Sequence, residues 1–299
     1  MSRLVVMMST YNGERYLEEQ LSSIVAQEAV TPRILVRDDG STDHTCQILD
    51  TWKQKTDLDW YQGYNVGPAR SFMALLRDAG DADFYAFSDQ DDFWQPEKMR
   101  VALEMIGQYH DVPALYFCQT QLVDQDLNPI DSVIINPLLT FGEALVYQFV
   151  GGCTMVMNRP LRDILCLYTP HFLNMHDIWV YDVALAIGAK IVFDPVPHIL
   201  YRQHGDNVIG QTTSTKAPWK DRFRRLSNHN LYPRSRQAQE ILNGFHDKMP
   251  EEHLAILNDF IAGRTHFLKR LKLMTDHRFM CADKGIYRNF QLAALLNLY

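Results

Sequence analysis

The five residues Ser88-Asp89-Gln90-Asp91-Asp92 constrain this chain most. They follow Asp83-Phe84-Tyr85-Ala86-Phe87, a short apolar run that predicts a buried strand. Three carboxylates then crowd into four positions at the strand's C-terminal end. Packed so closely, they repel one another unless a cation sits among them or some stay protonated. Hard oxygen ligands favour Mg²⁺ or Mn²⁺, and such a cation can hold a diphosphate. In open α/β sheets, ligands sit just outside the carboxyl ends of the strands. The competing reading is an acidic turn that caps the next helix, with Pro96 opening it.

The N-terminus adds two more such clusters. Leu4–Met8 predicts a first buried strand, which runs into Ser9-Thr10-Tyr11-Asn12-Gly13-Glu14. A helix follows, with Tyr16, Leu17, Leu21, Ile24 and Val25 at helical spacing. A second strand, Ile34–Val36, ends in Arg37-Asp38-Asp39-Gly40-Ser41-Thr42-Asp43, and a helix with Ile48, Leu49 and Trp52 comes after it. All three strands therefore end in polar clusters on one edge of the predicted sheet. Ser, Thr, Asn and Gly at a helix start can cap it, and can equally hold ribose or phosphate. One such cluster is commonly a turn and cap; three on one sheet edge are hard to explain that way.

The order Ser-Thr-Tyr-Asn-Gly-Glu, Arg-Asp-Asp-Gly-Ser-Thr-Asp, Asn65-Val66-Gly67, then Ser-Asp-Gln-Asp-Asp resembles the family 2 inverting glycosyltransferases of the GT-A fold. Gly151-Gly152-Cys153-Thr154, Met175-His176-Asp177 and Tyr201-Arg202-Gln203-His204 look like the bacterial rhamnosyltransferase branch of that family. The resemblance covers about residues 3–210. It implies an α/β fold, a Rossmann-like nucleotide-binding sheet with helices on both faces. It also implies transfer of a sugar, L-rhamnose from dTDP-β-L-rhamnose, to a hydroxyl of a lipid-linked saccharide in cell-wall or capsular polysaccharide synthesis. Another donor, such as UDP-glucose or UDP-galactose, is the alternative, because small changes in a sugar pocket switch donors.

The resemblance also implies roles for residues. Thr10, Tyr11, Asn12, Glu14 and Gln90 fall on the nucleotide-sugar side, with Asp38 or Asp39 at the base and ribose. Asp89 and Asp91 match the first and last carboxylates of the D-x-D motif. Asp91 is the expected ligand of Mn²⁺ or Mg²⁺, and Asp89 meets ribose or a metal-bound water. His204 is a further metal candidate, with a buried structural histidine as the rival reading. Arg202 and Gln203 could contact the diphosphate. Asp177 matches the catalytic base. An ordinary Asp is ionised at neutral pH and needs only correct placement. The rivals are His176 as base, or Asp177 as plain N-cap of a helix over Ile178–Ile187. Gly151, Gly152 and His176 fall on the acceptor side, where the glycines let backbone approach a sugar or simply make a tight turn. The Gln-x-x-Arg-Trp motif and membrane helices of processive synthases are not found in the sequence, which suits a transferase adding one or a few sugars.

Composition sets limits. A chain of 299 residues, 46% hydrophobic, can bury the core of one large α/β domain plus an appendage. The five cysteines are scattered and form no C-x-x-C pair, which argues for reduced thiols and a cytosolic location. No signal peptide is evident, and no window of about 18 apolar residues exists to span a bilayer. A net charge of −7 argues against a nucleic-acid binder. Residues 1–110 alternate strand and helix, as a parallel nucleotide-binding sheet should. Ala69–Arg77 predicts a helix, Leu115–Leu122 a strand, and Asp124–Pro129 a turn. Beyond a boundary near residue 210, helices are predicted near 219–243, 251–274 and 284–297. Lys216–Arg236 carries seven Lys or Arg against Asp221, interleaved with aromatics. That asymmetry suits an anionic membrane surface; a solvated helix face is the alternative.

Two other function classes stay open. A nucleotidyltransferase would show a glycine-rich basic loop after its first strand, and Ser9–Glu14 is not one. A non-catalytic nucleotide-sugar-binding protein would have no need to retain Asp89, Asp91 and Asp177 together.

Overall fold

The computed structural model describes residues 2–130, 134, 137, 139–147, 150–203, 233–281 and 283–299. Its elements run β1 (Leu4–Thr10), α1 (Leu17–Val25), β2 (Arg33–Asp38), α2 (Thr45–Lys53), β3 (Leu58–Gln62), α3 (Pro68–Asp78), β4 (Phe84–Ser88), β5 (Phe93–Trp94) and α4 (Lys98–Ile106). Then come β6 (Ala114–Val123), α5 (Phe141–Ala144), β7 (Val156–Asn158), α6 (Arg159–Leu165), α7 (His176–Ala186) and β8 (Lys190–Arg202). Among the described residues of the C-terminal region four α-helices follow: α8 (Pro233–Phe245), α9 (Glu251–Ala262), α10 (Phe267–Leu273) and α11 (Lys284–Leu295).

One sheet of eight strands, ordered β3-β2-β1-β4-β7-β6-β8-β5, forms the centre. Strands β1 to β4 are mutually parallel, as expected, whereas β7 and β5 run antiparallel to their neighbours. Alternate side chains of β1 enter two different cores. Val5 and Met7 pack with Tyr85, Phe87 and the α3 and α7 side; Leu4, Val6 and Met8 pack with Ala86 and the α1 and α4 side. Burial on both faces explains why these strands read as continuous apolar runs.

Register aligns the three polar strand ends. Thr10 pairs with Asp38, and Met8 pairs with both Val36 and Ser88. The antiparallel Ala86–Val156 pairing then brings the short 3-10 turn Gly152–Thr154 alongside the end of β4. On the far side, β8 pairs Leu200 with Phe93, which carries Arg202 toward Asp91 and Asp92.

Some details depart from the sequence reading. Val25 is 44% exposed and does not join the core face of α1. Helix α7 starts two residues earlier than expected, at His176. The helix expected over 251–274 is two helices, broken at Gly263–His266. The expected boundary near 210, His204, and Lys216–Arg236 up to residue 232 lie outside the described residues. Beyond them, α8 and α9 bury Ala238, Ile241, Phe245, Leu257 and Phe260 in the same core as Trp179 and Val183 of α7.

Candidate functional site

Three loops leave the aligned ends of β1, β2 and β4, and their own polar side chains tie them together. Asn12, at φ +49, donates its backbone N–H to Ser41 Oγ at 2.9 Å, and its Oδ1 accepts from the Thr42 amide at 2.9 Å. Glu14 Oε2 accepts from the His44 amide at 2.9 Å and faces His44 Nδ1 at 2.7 Å. Gln90 grips the backbone of Tyr11 from both sides: Oε1 accepts from its N–H at 2.8 Å, and Nε2 donates to its carbonyl at 3.1 Å. Gly13 leaves room for this brace, because a methyl there would lie 2.6 Å from Gln90 Cδ and push the side chain off the Tyr11 backbone.

The paired carboxylates Asp38 and Asp39 are buried and committed to the chain. Asp38 accepts from Thr10 Oγ1 at 3.0 Å, the amides of Gly40 and Ser41 at 3.1 and 2.9 Å, Ser41 Oγ, and Gln62 Nε2 at 3.0 Å. Burial raises its pKa, but the donors from Ser41, Gln62 and Thr10 outweigh it and hold the carboxyl below its usual range. Asp39 pairs with the buried Arg37 guanidinium and accepts from the amides of Val66 and Gly67 at 3.0 and 2.9 Å. It thereby fixes the Asn65-Val66-Gly67 turn that opens α3. Asn12, Glu14, Asp38, Asp39 and Gln90 thus shape the loops, whereas the Tyr11 side chain is 49% exposed on their surface.

The acidic cluster is the electrostatic centre. Asp89 and Asp92 lie with Cys153, their ligand atoms within 4.8 Å of one another. Desolvation, then Asp91, then Asp177 push Asp89 up to about 7. Desolvation and the charges of Asp91 and Asp89 push Asp92 well above the usual carboxylate range. Asp92 Oδ2 is buried without a hydrogen-bond partner among the described residues, and the Cys153 thiol and the Arg202 amide ease the carboxylate's charge only in part. Burial beside these carboxylates also raises the Cys153 thiol strongly, so it is a neutral neighbour and a poor partner for a hard cation. An oxygen-rich, mutually repelling set with an orphaned buried carboxylate oxygen fits Mg²⁺ or Mn²⁺.

Arg202 sits beneath this loop. Its Nε donates to the Asp91 carbonyl at 2.8 Å, its amide reaches Asp92 Oδ1 at 3.3 Å, and its guanidinium pairs with Glu19 and lies 4.4 Å from the Tyr16 ring centroid. It props the acidic loop from below.

Asp177 stands across from Asp89, close enough that its charge contributes to the Asp89 shift. Two amides aim it: Gly152 N–H donates to Oδ2 at 3.1 Å, and Ile178 N–H donates to Oδ1 at 2.8 Å. The N-cap of α7 is Met175, so Asp177 does not occupy the cap position. A methyl on Gly152 would come within 3.1 Å of His176 Cε1 and closer still to Nε2. A methyl on Gly151 would meet only Cys153 Sγ at 3.8 Å. The His176 ring is buried, stacked on Phe72 at 4.0 Å and edge-on to Phe87 at 4.9 Å, and burial holds its pKa below the usual value.

Sequence reasoning missed Lys98. It is fully buried, its ammonium 3.6 Å from the Trp94 ring centroid and without a hydrogen-bond partner. Burial pushes it down to about 8, against the opposing pull of Cys118, Cys153 and Asp92. The available signal was its place on the core stripe of α4, four and eight residues before Ala102 and Ile106.

Known proteins match this chain in sequence and in fold. The family model described as Glycosyl transferase family 2 matches residues 5–165. A dTDP-rhamnosyl transferase, RfbG of Shigella flexneri, is 28% identical over 238 residues, 71% of this chain and 77% of that protein. The S. aureus TarS 1–349 structure in complex with UDP-GlcNAc superposes with a TM-score of 0.61 at 18% identity, covering 99% of this chain and 82% of that one. The mannosyltransferase PcManGT from Pyrobaculum calidifontis, in complex with GDP-Man and Mn²⁺, gives 0.56 at 16% identity, covering 100% and 81%. The fold is that of the GT-A enzymes, and a matched segment spanning more than half of the residues, with the D-x-D cluster at the end of β4, makes this chain a member of the family 2 glycosyltransferases.

Proposed function

We propose that this chain transfers L-rhamnose from dTDP-β-L-rhamnose, with inversion, to a hydroxyl of a lipid-linked saccharide acceptor on the cytosolic side of a membrane. The similarity to the Shigella flexneri rhamnosyl transferase supports the donor. One geometric observation carries the reaction: a carboxylate, Asp177, aimed by two backbone amides at the rim of an acidic cluster.

Asp177 accepts the proton of the acceptor hydroxyl as that oxygen attacks the anomeric carbon. The bond from the anomeric carbon to the diphosphate breaks on the opposite face, and inversion of a β-linked donor gives an α-L-rhamnoside. Gly152 holds Asp177 in place through its amide. His176, caged by Phe72 and Phe87, supports the Gly152 turn and leaves the proton to Asp177. Asp91 and Asp89 would hold the cation, Asp92 would offer its buried Oδ2 from behind them, and His204 is a further candidate. When bound, Mn²⁺ or Mg²⁺ would neutralise charge on the leaving diphosphate. The stitched loops of β1, β2 and β4 form the nucleoside floor, with Tyr11 on it and Thr10 buried beneath, its hydroxyl committed to Asp38. Their polar side chains act by fixing loop shape and by offering backbone groups. No helix among the described residues is long and apolar enough to cross a membrane.

The test is nucleoside diphosphate release and product analysis with dTDP-rhamnose, UDP-glucose, UDP-galactose and GDP-mannose, each with Mn²⁺ or a chelator. Preferential use of dTDP-rhamnose, lost in chelator and in Asp91→Ala, is the expected result. Preference for a UDP-sugar would overturn the donor, and full activity in chelator would overturn the metal.

A further inference from the structure

The catalytic reading leaves one polar cleft unused. It measures about 570 Å³ and lies between α8, α9 and the start of α10. Arg236, Arg264 and Lys269 line it, with Gln239, Asn258 and Thr265 between them; no carboxylate among the described residues lines it. Arg264 is anchored on Asn297, donating to its carbonyl at 2.7 Å and its Oδ1 at 3.0 Å. Arg236 lies 4.0 Å from the Phe172 ring centroid, and neither it nor Lys269 pairs with a carboxylate among the described residues. Three cations are thus gathered in an acidic protein, two of them without counter-charge among the described residues.

Helix α10 begins at the lip of this cleft. Its sequence is Phe-Leu-Lys-Arg-Leu-Lys-Leu, and only Leu273 is buried. Phe267, Leu268 and Leu271 are 56%, 79% and 37% exposed. Exposed apolar side chains scattered singly need no explanation, but three on one short helix among three cations do. Residues 264–288 carry seven Lys or Arg against two Asp, although the whole chain has a net charge of −7. Such a strip repels a second copy of itself. A soluble anion would fill the cleft but leave the Phe267 and Leu268 side chains in water. Only a surface that is anionic and apolar at once satisfies both sets of groups.

We propose that the cleft of Arg236, Arg264 and Lys269, together with the exposed face of α10, docks on an anionic lipid bilayer. A phosphate-bearing headgroup enters the cleft, and Phe267, Leu268 and Leu271 dip into the interface. With so few apolar side chains, binding is reversible and depends on salt. This inference rests on the C-terminal helices alone and stands whether or not the donor assignment does.

The test is co-sedimentation of the full chain with vesicles of phosphatidylcholine alone or mixed with phosphatidylglycerol, at low and high salt. Three variants accompany it: R236E/K269E, L268S/L271S, and R222E/R224E/R225E in the neighbouring basic segment. Thermal unfolding confirms that each variant folds, and nucleotide release from a soluble donor reports on the catalytic reading separately. Selective binding to the anionic vesicles is expected, weakening with salt and falling at least ~10-fold in each of the first two variants. Binding to neither vesicle, or equal binding to both, overturns the proposal. So does unchanged binding in R236E/K269E and L268S/L271S, including the case in which only the triple variant fails to bind.

Discussion

Gly152→Ala tests how the site aims its proposed base. Gly152 does not have a positive φ, so alanine meets no backbone penalty and the effect is steric. The new methyl would lie 3.1 Å from His176 Cε1, closer to Nε2, and 3.4 Å from Asp177 Cβ. His176 cannot swing away, because Phe72 stacks on it at 4.0 Å and Phe87 blocks its edge at 4.9 Å. The turn must therefore retreat by roughly 1 Å to restore ordinary contact. Retreat stretches the 3.1 Å bond from Gly152 N–H to Asp177 Oδ2 beyond hydrogen-bonding range. Overpacking of this kind costs about 1–3 kcal/mol of stability. A misplacement of about 1 Å in a catalytic group costs on the order of 10²-fold in rate. The assay is kcat and KM for dTDP release, with thermal unfolding of the same sample. A large fall in kcat, with donor KM little changed, is expected. A folded variant with kcat within about threefold of the parent would refute the idea that this amide aims Asp177.

Two further substitutions probe the frame around the site. Asp39→Asn keeps an acceptor for Val66 and Gly67 but leaves Arg37 buried without its counter-charge. It should cost about 3–5 kcal/mol in denaturant unfolding, and a loss below about 1 kcal/mol would mean the pair is dispensable. Lys98→Met removes a buried, unpartnered ammonium while keeping its volume. The folded state holds Lys98 down to about 8, so below that pH the unfolded chain binds the proton better and stability is lowered. The penalty, on the order of 3 kcal/mol, fades as pH rises toward about 10.5. Lys98→Met should therefore melt above the parent at pH 7, by a margin that narrows in alkali; a margin independent of pH would contradict the assignment.

The sequence made the catalytic half of the sheet legible for a physical reason. β1, β2 and β4 are buried on both faces and read as unbroken apolar runs ending in polar residues. β3 was not legible, because at the sheet edge Leu58-Asp59-Trp60-Tyr61-Gln62 buries only Leu58 fully. β8 was hidden by Pro195 and Pro197, which lie where its pairing with β6 shifts register. The start of α7 was misplaced because His176-Asp177 looks like a cap, while the actual N-cap, Met175, makes no side-chain bond. At the site, residue type and order marked which groups gather at one sheet edge. They could not show that Asn12, Glu14, Asp38, Asp39 and Gln90 turn toward neighbouring loops, since those partners lie up to 79 residues away in sequence. Nor could they show that Arg202 is held by Glu19 and the Asp91 carbonyl.

The central claim is that Asp177 takes the acceptor's proton, and Asp177→Asn tests it most directly. The amide keeps the shape, and its one oxygen can still accept from Gly152 or Ile178 N–H, but it is too weakly basic to take the proton. Donor affinity should be preserved, read as dTDP-rhamnose binding in the presence of Mn²⁺. Single-turnover transfer should fall at least ~10²-fold, the scale of general-base loss. Transfer at the parent's rate, with the fold intact, would place the base elsewhere and contradict the account.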